Sequence, residues 1–365
     1  MMARHAALMA RFSPRQKAAA GLAGLVLVAG GTVGGVVAAS GSPKHAAETS
    51  APPPPPSTHA PKPKPKPKPK PKPKPKPAIN PFTGIGPVPK GRVIAVKIDD
   101  TENGRPQRGL GAADIVYIEQ AEGGLTRLVA VFAGHKPTVE AVRSVRASDP
   151  ELLTQYGPIT LVASGGGGDA LPTLDKSILH SVINDRGGPG FGRDGGRPVP
   201  YNLTSNLGYV NGAVHSGGAK SIGFTFATKL PKGSQPGGMV NAVVGGTPVT
   251  FRWNPGLNRY VRLIGGAPVG TAEGGPVVAR NVIVQFCRVS VNPHDIDVTG
   301  NPSQYTHSVG GGRVVIFRNG RRINGSWSRK SPRSPTIFKD KYGHVIPLAP
   351  GGAYVVLAAN GSGLR

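Results

Sequence analysis

Four acidic residues stand at the ends of two short apolar segments, 93–98 and 115–118: Asp99, Asp100, Glu119 and Glu122. Neighbouring strands of this kind end at one edge of a sheet, so two or more of these carboxylates are expected to share a cleft. Paired carboxylates can serve as a general acid and base, or as ligands of a divalent cation. The alternative is that they form ion pairs with the nearby Arg105, Arg108 and Arg127, because a sequence does not give the separations that carboxylate chemistry requires.

A second set of residues has the composition of an anion-binding pocket. Two arginines precede an apolar segment, and that segment is followed by the glycine run 165–168 and the expected start of a helix. A glycine turn lets the backbone approach a ligand, and arginine binds phosphate or carboxylate groups. The predicted binding residues are Arg143, Arg146, Gly165, Gly166 and Asp169. A flexible turn beside two arginines in ion pairs explains the same residues equally well, and no Lys-Ser/Thr follows the glycines as a nucleotide-binding loop requires.

A third set lies in the glycine-rich segment 195–218 and just before it. Arg193 and Asp194 are followed by Arg197 and Tyr201, and such polar groups on a loop are suited to cap a groove. The segment itself is expected to be a long loop, ordered or flexible. Asp194 is expected either to contribute to ligand binding or to orient Arg193.

Several other chemistries are not indicated. The histidines are scattered, with no pair at i and i+4 and no cysteine partner, so neither a metal nor another cofactor is expected. Ser164 lacks the Gly-x-Ser-x-Gly pattern of serine hydrolases. Cys287, the single cysteine, lies in an apolar segment, which excludes an intramolecular disulfide and favours an inert packing role.

The elements that must position these groups follow from the apolar pattern. Strands are predicted at 93–98, 115–118, 125–132 and 159–163. Helices are predicted after Ser148, where Asp-Pro-Glu forms an acidic first turn, and from Asp169. Beyond residue 237 strands alone are predicted, at 248–253, 259–263, 281–291, 313–317 and 353–358. The predicted fold is α+β: a mixed α/β domain over 80–236 packed with a mostly β domain over 237–360, as a sheet or small barrel.

The N-terminus has the pattern of a membrane anchor. Residues 1–17 carry four basic residues and no acidic one, and the following 23 residues, 18–40, are uncharged. About 20 apolar residues span a bilayer, and positive flanks stay in the cytoplasm. We predict a cytoplasmic segment 1–17, a single-pass signal anchor 18–40 in the cell membrane, and an extracytoplasmic remainder. The small residues at 37–39 also fit a cleavage site, and cleavage there would release the protein.

Residues 41–79 are predicted to be a disordered stalk. They contain five consecutive prolines and then a strict Pro-Lys alternation, which removes backbone donors and places like charges side by side. At about 3.1 Å per residue, an extended polyproline II rod of this length reaches on the order of 120 Å. The stalk is expected to set the distance from the membrane, with binding of the eight lysines of its Pro-Lys alternation to anionic wall polymers or lipid head groups as the alternative.

The net charge of the chain is strongly positive. It is +26 over 365 residues, and residues 80–365 hold 31 basic and 17 acidic residues, a net +14. Such a charge attracts anions over a long range without identifying them. Outside a membrane, nucleic acid is not an expected partner. The expected partner is an anionic cell-wall polymer or an envelope protein, and the sequence leaves the oligomeric state open.

A series of short motifs in the folded part resembles the YerB-like lipoprotein family, a bacterial envelope family of unknown function. The motifs are NPFTG at 80–84, RPQ at 105–107, ADIVY at 113–117, EGG at 122–124, VRS at 142–144, YNL at 201–203, NVIVQ at 281–285 and GSW at 325–327. The resemblance implies an N-terminal and a C-terminal domain outside the membrane. Lipoprotein members carry a lipidated cysteine that this sequence lacks, so the resemblance implies a different anchor here.

Two functions are consistent with these observations. The first is an envelope-binding protein, displayed on the stalk, that recognises an anionic wall component or a partner protein without turnover. The alternative is an envelope hydrolase or transferase that uses a carboxylate of the first set, assisted by Arg143 and Arg146. Accessible carboxylates in one cleft would favour the enzyme.

Overall fold

A computed structural model describes the folded part of the chain: residues 52–53, 78–297 and 300–364. The predicted cytoplasmic segment, the predicted anchor and all but residues 52–53 and 78–79 of the predicted stalk lie outside these residues. Contacts divide the chain into Met1–Pro71 and Lys72–Arg365, and the second unit contains every strand and helix below. Within the described ranges, no helix is both long and apolar enough to cross a membrane.

The first half of the folded part contains eight strands and three short helices. The strands are β1 (Ile94–Asp99), β2 (Ile115–Gln120), β3 (Thr126–Phe132), β4 (Thr138–Glu140), β5 (Thr160–Ala163), β6 (His180–Ile183), β7 (Phe191–Arg193) and β8 (Leu203–Asn206). The α-helices are α1 (Asp149–Leu153), α2 (Ala170–Asp175) and α3 (Leu207–Ala213). Single 3₁₀ turns lie at Glu102–Gly104, Leu110–Ala112, Glu122–Gly124, Thr154–Tyr156 and Asn184–Arg186.

The described residues of the second half contain only strands. They are β9 (Gln235–Pro236), β10 (Met239–Val244), β11 (Thr247–Asn254), β12 (Arg259–Ile264), β13 (Ala267–Pro268), β14 (Val278–Ala279), β15 (Asn281–Ile296), β16 (Pro302–His307), β17 (Gly310–Arg318), β18 (Arg321–Arg329), β19 (Ile337–Lys339) and β20 (Ala353–Ala359).

One large sheet contains strands from both halves. Its order is β19-β18-β17-β15-β20-β2-β3-β1-β5-β6, with β16 beside β15 and β9 beside β18. The last strand, β20, runs parallel to both β2 and β15 and so joins the two halves through backbone hydrogen bonds. The structure therefore differs from the expected β domain packed against the first half. Most strands of the second half instead extend the sheet of the first half. The strands β10 to β14 form a separate five-stranded sheet, and β4, β8 and β7 a third.

The main sheet is buried on both faces. Alternate residues of its central strands belong to two apolar cores, so that Val129 of β3 lies in one and Leu128 in the other. Leu152 of α1 and Leu174 of α2 pack in the first core. Phe251 of the five-stranded sheet packs in the second. Helices α1 and α2 thus cover one face, and α3 and the five-stranded sheet pack against the other.

The protein is mostly β, whereas a mixed α/β first half was expected. The predicted helices at Asp149 and Asp169 are present, but they have 5 and 6 residues, and α3 has 7. The segment 195–218, predicted to be a loop, contains β8 and α3. The Asn206 side chain caps α3 by accepting a hydrogen bond from Tyr209 N at 3.0 Å, and Leu207 and Val210 are buried.

Candidate functional site

Asp99 and Glu119 lie on either side of one arginine in the main sheet. The register pairs Asp99 of β1 with Arg127 of β3, and Arg127 with Glu119 of β2. Directly opposed residues project from the same face, so the three side chains form a row across the sheet. They are 0%, 5% and 1% exposed. The structure therefore brings two predicted carboxylates to one face but buries both.

Lys97 holds the Glu119 end of this row. Its ammonium group forms ion pairs with Glu119 and, at 2.9 Å, with Asp149 Oδ1 at the start of α1. One buried cation is thus shared by two buried carboxylates. Burial and the charge of Asp149, opposed by Lys97, raise the pKa of Glu119 to about 7. Sequence reasoning missed Lys97, although a lysine inside an apolar strand signals a buried partner.

Asp99 lies between two guanidinium groups. Its Oδ2 is 3.2 Å from Arg143 Nε and 3.7 Å from Arg127 NH1, and its Oδ1 accepts hydrogen bonds from Thr101 N and Oγ1. Of the three arginines proposed as partners of the acidic set, only Arg127 contacts a member. Arg105 Nε donates to the Thr101 carbonyl, and Arg108 contacts other carboxylates.

Glu122 and Asp100 are each neutralised by an arginine from a different element. Arg146 donates to Glu122, and the Ser303 hydroxyl lies between Glu122 and Asp295. Burial disfavours the charged form, yet Arg146 and Ser303 lower the pKa of Glu122 to about 2. Arg262 of β12 donates to both oxygens of Asp100, at 2.8 and 2.7 Å. Burial again opposes ionisation, and Arg262 outweighs it and lowers the pKa of Asp100.

The glycine turn of the second predicted set faces carboxylates. A Cβ atom at Gly165 would lie 2.1 Å from Asp185 Oδ2, and one at Gly167 would lie 2.4 Å from Asp295 Oδ1. Asp169 accepts a hydrogen bond from Asn292 at 2.8 Å. Acidic side chains of the protein therefore occupy the approach to this turn. Arg146 is paired with Glu122, so it does not point a free guanidinium group at the glycines.

Arg143 of the second predicted set contacts both Asp99 of the first set and Tyr201 of the third. The Arg143 guanidinium lies 5.3 Å from the centre of the Tyr201 ring, a cation–π distance. Asp194 pairs with Arg108 at 2.9 Å, and Arg193 donates to Asn202. The structure thus joins Asp99, Arg143 and Tyr201 into one neighbourhood that the sequence presented as three separate sets.

Glu140 is a buried carboxylate that the sequence analysis missed. It is fully buried, and neither carboxylate oxygen has a hydrogen-bond partner. Arg197 Nε lies 3.6 Å away, and Arg108 Nε lies 3.7 Å away. Burial, opposed by Arg197, raises its pKa. The only sequence signal was an acidic residue between two apolar ones, Val139 and Ala141.

Buried polar atoms without a hydrogen-bond partner concentrate near the end of β1. Besides both oxygens of Glu140, they include Asp99 Oδ2, Gln107 Oε1, Arg127 Nε and Arg143 NH1. The segments are neighbours, because Asp99 N donates to Ala141 O and Arg143 N to Lys97 O. Buried polar groups are nearly always hydrogen-bonded, so this concentration is uncommon.

Metal and thiol chemistry find little support in the described residues. Among them, no three His, Cys, Asp or Glu side chains are grouped so as to hold a metal ion. Cys287 is buried in β15, and burial raises the pKa of its thiol to about 12, with Gln285 opposing. A neutral buried thiol is a poor nucleophile.

Comparisons with known proteins place the two halves in one family. Residues 82–220 match the N-terminal domain, and residues 240–355 the C-terminal domain, described as "Protein of unknown function (DUF3048)". The protein named "Putative lipoprotein YerB" of Bacillus subtilis is 28% identical over 289 residues, which cover 75% of this chain and 84% of that protein.

A solved structure shares the fold. The crystal structure of the YerB protein from Bacillus subtilis superposes with a TM-score of 0.67 at 22% identity. The match covers 79% of this chain and 99% of the solved chain. Because nearly the whole solved chain corresponds to part of this one, the fold forms without a counterpart of the remaining fifth of the sequence.

Proposed function

Since this chain belongs to the DUF3048 family, whose Bacillus relative is named as a lipoprotein, we propose that it is an extracytoplasmic envelope protein that binds an anionic wall component or envelope partner without turnover. The basic flank 1–17, the uncharged segment 18–40 and the Pro-Lys stalk support display outside a membrane. The stalk then carries the folded part toward the wall.

One observation favours a binding protein over an enzyme. Each carboxylate of the first set contacts a lysine or arginine and is at most 6% exposed. An acid or base must reach the atom that gains or loses a proton, within about 3 Å or through one water. These carboxylates instead neutralise cations inside the protein. A hydrolase or transferase acting through them is therefore the less supported alternative.

The internal ion pairs also determine the charge that a ligand meets. Acidic residues used inside the protein cannot offset surface cations, and residues 80–365 carry a net +14. Arg322 and Lys341 are exposed cations, and the described residues give neither of them an acidic partner. Among the predicted binding residues, Arg143 is a candidate for a direct contact, because its side chain is 21% exposed. This positive surface supports the proposal of anion binding.

The experiment is a sedimentation assay with the folded part, residues 78–365, and isolated cell wall. Wall that retains its anionic polymers should retain the protein, and wall stripped of them should not. Retention should weaken between 0.05 and 0.5 M salt, roughly, since the screening length falls to a few ångströms over that range. Equal retention on both walls, or release of a product from the intact wall, would contradict the proposal.

A further inference from the structure

A basic hollow lies at the edge of the main sheet, far along the chain from the buried ion pairs. Its volume is about 340 Å³, and it is lined by β18, β9, the loop before β9 and the turn after β19. Three cations line it: Lys232, Arg322 and Lys341. We call it the Arg322 hollow.

The positive charge of the Arg322 hollow is not neutralised. In the described part of the chain, none of its three cations forms an ion pair. Its acidic lining residue, Asp340, is used inside its own turn, where Oδ1 accepts from Tyr342 N and His344 N, both at 2.9 Å. Its Oδ2 lies 3.4 Å from His344 Nδ1. The hollow therefore presents more positive charge than negative to a ligand.

The groups around the cations suit a chain of hydroxyls and phosphates. Arg322 uses Nε to donate to Gln235 at 3.2 Å, which leaves its two terminal nitrogens for a ligand. Asn324 also lines the hollow and adds an amide donor and acceptor. Tyr342 is 72% exposed, and Lys341 Nζ lies 4.9 Å from the centre of its ring. An exposed aromatic face packs against the C–H groups of a polyol or sugar.

The backbone around the hollow is held in place before a ligand arrives. Arg322 and Asn324 lie on β18, which pairs with β17 on one side and with β9 and β19 on the other. The Asp340 turn is closed by hydrogen bonds from Asp340 N to His344 O and from Gly343 N to Asp340 O. Preorganised groups lose less entropy on binding.

We infer that the Arg322 hollow binds a phosphodiester-linked polyol chain, the chemistry of an anionic wall polymer. The inference rests on the proposed function and names its ligand class and site. Guanidinium pairs with phosphate through two parallel hydrogen bonds, and the lysines add point charges for neighbouring phosphates. The amides and Tyr342 then contact the polyol between phosphates, which a simple anion does not provide.

The test measures the affinity of residues 78–365 for a synthetic oligomer of glycerol phosphate. The hollow variant carries Lys232→Gln, Arg322→Gln and Lys341→Gln. The control variant carries Lys90→Gln, Lys330→Gln and Arg333→Gln, which removes the same charge from exposed positions elsewhere. The hollow variant should bind at least about tenfold more weakly, and the control within about threefold of the unchanged protein.

Three further binding measurements distinguish which chemical groups of the ligand the hollow recognises. Tyr342→Ala replaces an exposed, uncharged side chain. It should weaken binding of the oligomer several-fold, while the thermal unfolding midpoint stays unchanged. Inorganic phosphate and polyglutamate should bind far more weakly than the oligomer. Equal losses in the hollow and control variants, or equal affinity for polyglutamate or for inorganic phosphate, would overturn the inference.

Failure of the two proposals can be told apart. If the unchanged protein binds neither the wall nor the oligomer, the proposed function fails, and the hollow loses its role with it. If the unchanged protein binds the intact wall in a salt-dependent way and the hollow variant binds it equally well, only the hollow is refuted.

Discussion

Arg262 and Asp100, separated by 162 positions in the sequence, form a two-fold hydrogen-bonded ion pair inside the protein. Their side chains are 2% and 0% exposed. Asp100 follows β1 of the main sheet, and Arg262 lies in the five-stranded sheet. The pair therefore fixes one sheet upon the other, and a charge left alone at this place has no access to water.

Removing one partner of this pair should destabilise the protein strongly. Arg262→Met leaves the Asp100 charge buried and unpaired, and we expect a loss of about 3–5 kcal/mol in the free energy of unfolding. Asp100→Leu should cost a similar amount. The double variant should lose clearly less unfolding free energy than the sum of the two single losses, because neither charge then remains buried. Urea unfolding of residues 78–365 measures all three.

The exposed pair Arg186 and Asp175 provides the control. Its side chains are 43% and 47% exposed, so Arg186→Met should leave the unfolding midpoint nearly unchanged. Additive losses in the Asp100 and Arg262 double variant would refute the account of a mutually dependent buried pair.

Glu122 should contribute a stability that disappears in acid. Its folded pKa of about 2 lies below the unfolded value of about 4.3, so the contribution is complete above the unfolded value and lost as pH falls through the folded one. The unchanged protein should exceed Glu122→Gln in stability above about pH 5, and the gap should close between about pH 4.3 and 2. In an Arg146→Gln background the gap should be smaller at every pH, because the neutralising guanidinium is gone. A gap that stays constant from pH 5 to 2 would rule the interpretation out.

Glu119 should show the opposite dependence. Its folded pKa of about 7 lies above the unfolded value, so its contribution is complete below about pH 4.3 and is lost as pH rises to about 7. Glu119→Gln mimics the protonated acid, since its amide oxygen can accept from Lys97 and its NH₂ can donate to Asp149. The variant should match the unchanged protein near pH 4 and exceed it in stability at pH 8, measured by urea midpoints. A variant that is equally weakened at both pH values would contradict the raised pKa of Glu119.

The strands that the sequence predicted are those with mainly apolar segments. The segments 93–98 and 281–291 correspond to β1 and β15, because strands buried on both faces contain few polar residues. The polar strands β16 and β18 gave no such signal, and their pairing with apolar neighbours determines them. The position of β20 beside β2 could not be predicted, since it depends on pairing between residues more than 200 positions apart.

Two outcomes were expected for the acidic set: a shared cleft, or ion pairs with nearby arginines. Pairing is what the structure shows: Arg127 was an expected partner, Arg143 and Arg146 come from the second predicted set, and two partners were not considered. Lys97 was hidden inside an apolar strand, and Arg262 lies on a strand of the other half. Distances across a sheet and between halves follow from tertiary packing, which single-sequence patterns do not contain.

Gly104 is expected to be indispensable for the surroundings of Asp99. A Cβ atom at this position would lie 2.5 Å from both Asp99 Cβ and Asp99 Oδ1, closer than van der Waals contact permits. Gly104→Ala should therefore displace Asp99 from Arg143 and cost about 1–3 kcal/mol in the free energy of unfolding. Gly111→Ala is the matched control, because a Cβ there meets nothing within 4 Å; we expect a change within about 0.5 kcal/mol. Equal unfolding midpoints for the two variants would show that Asp99 and its turn can move apart without cost, against the packing described here.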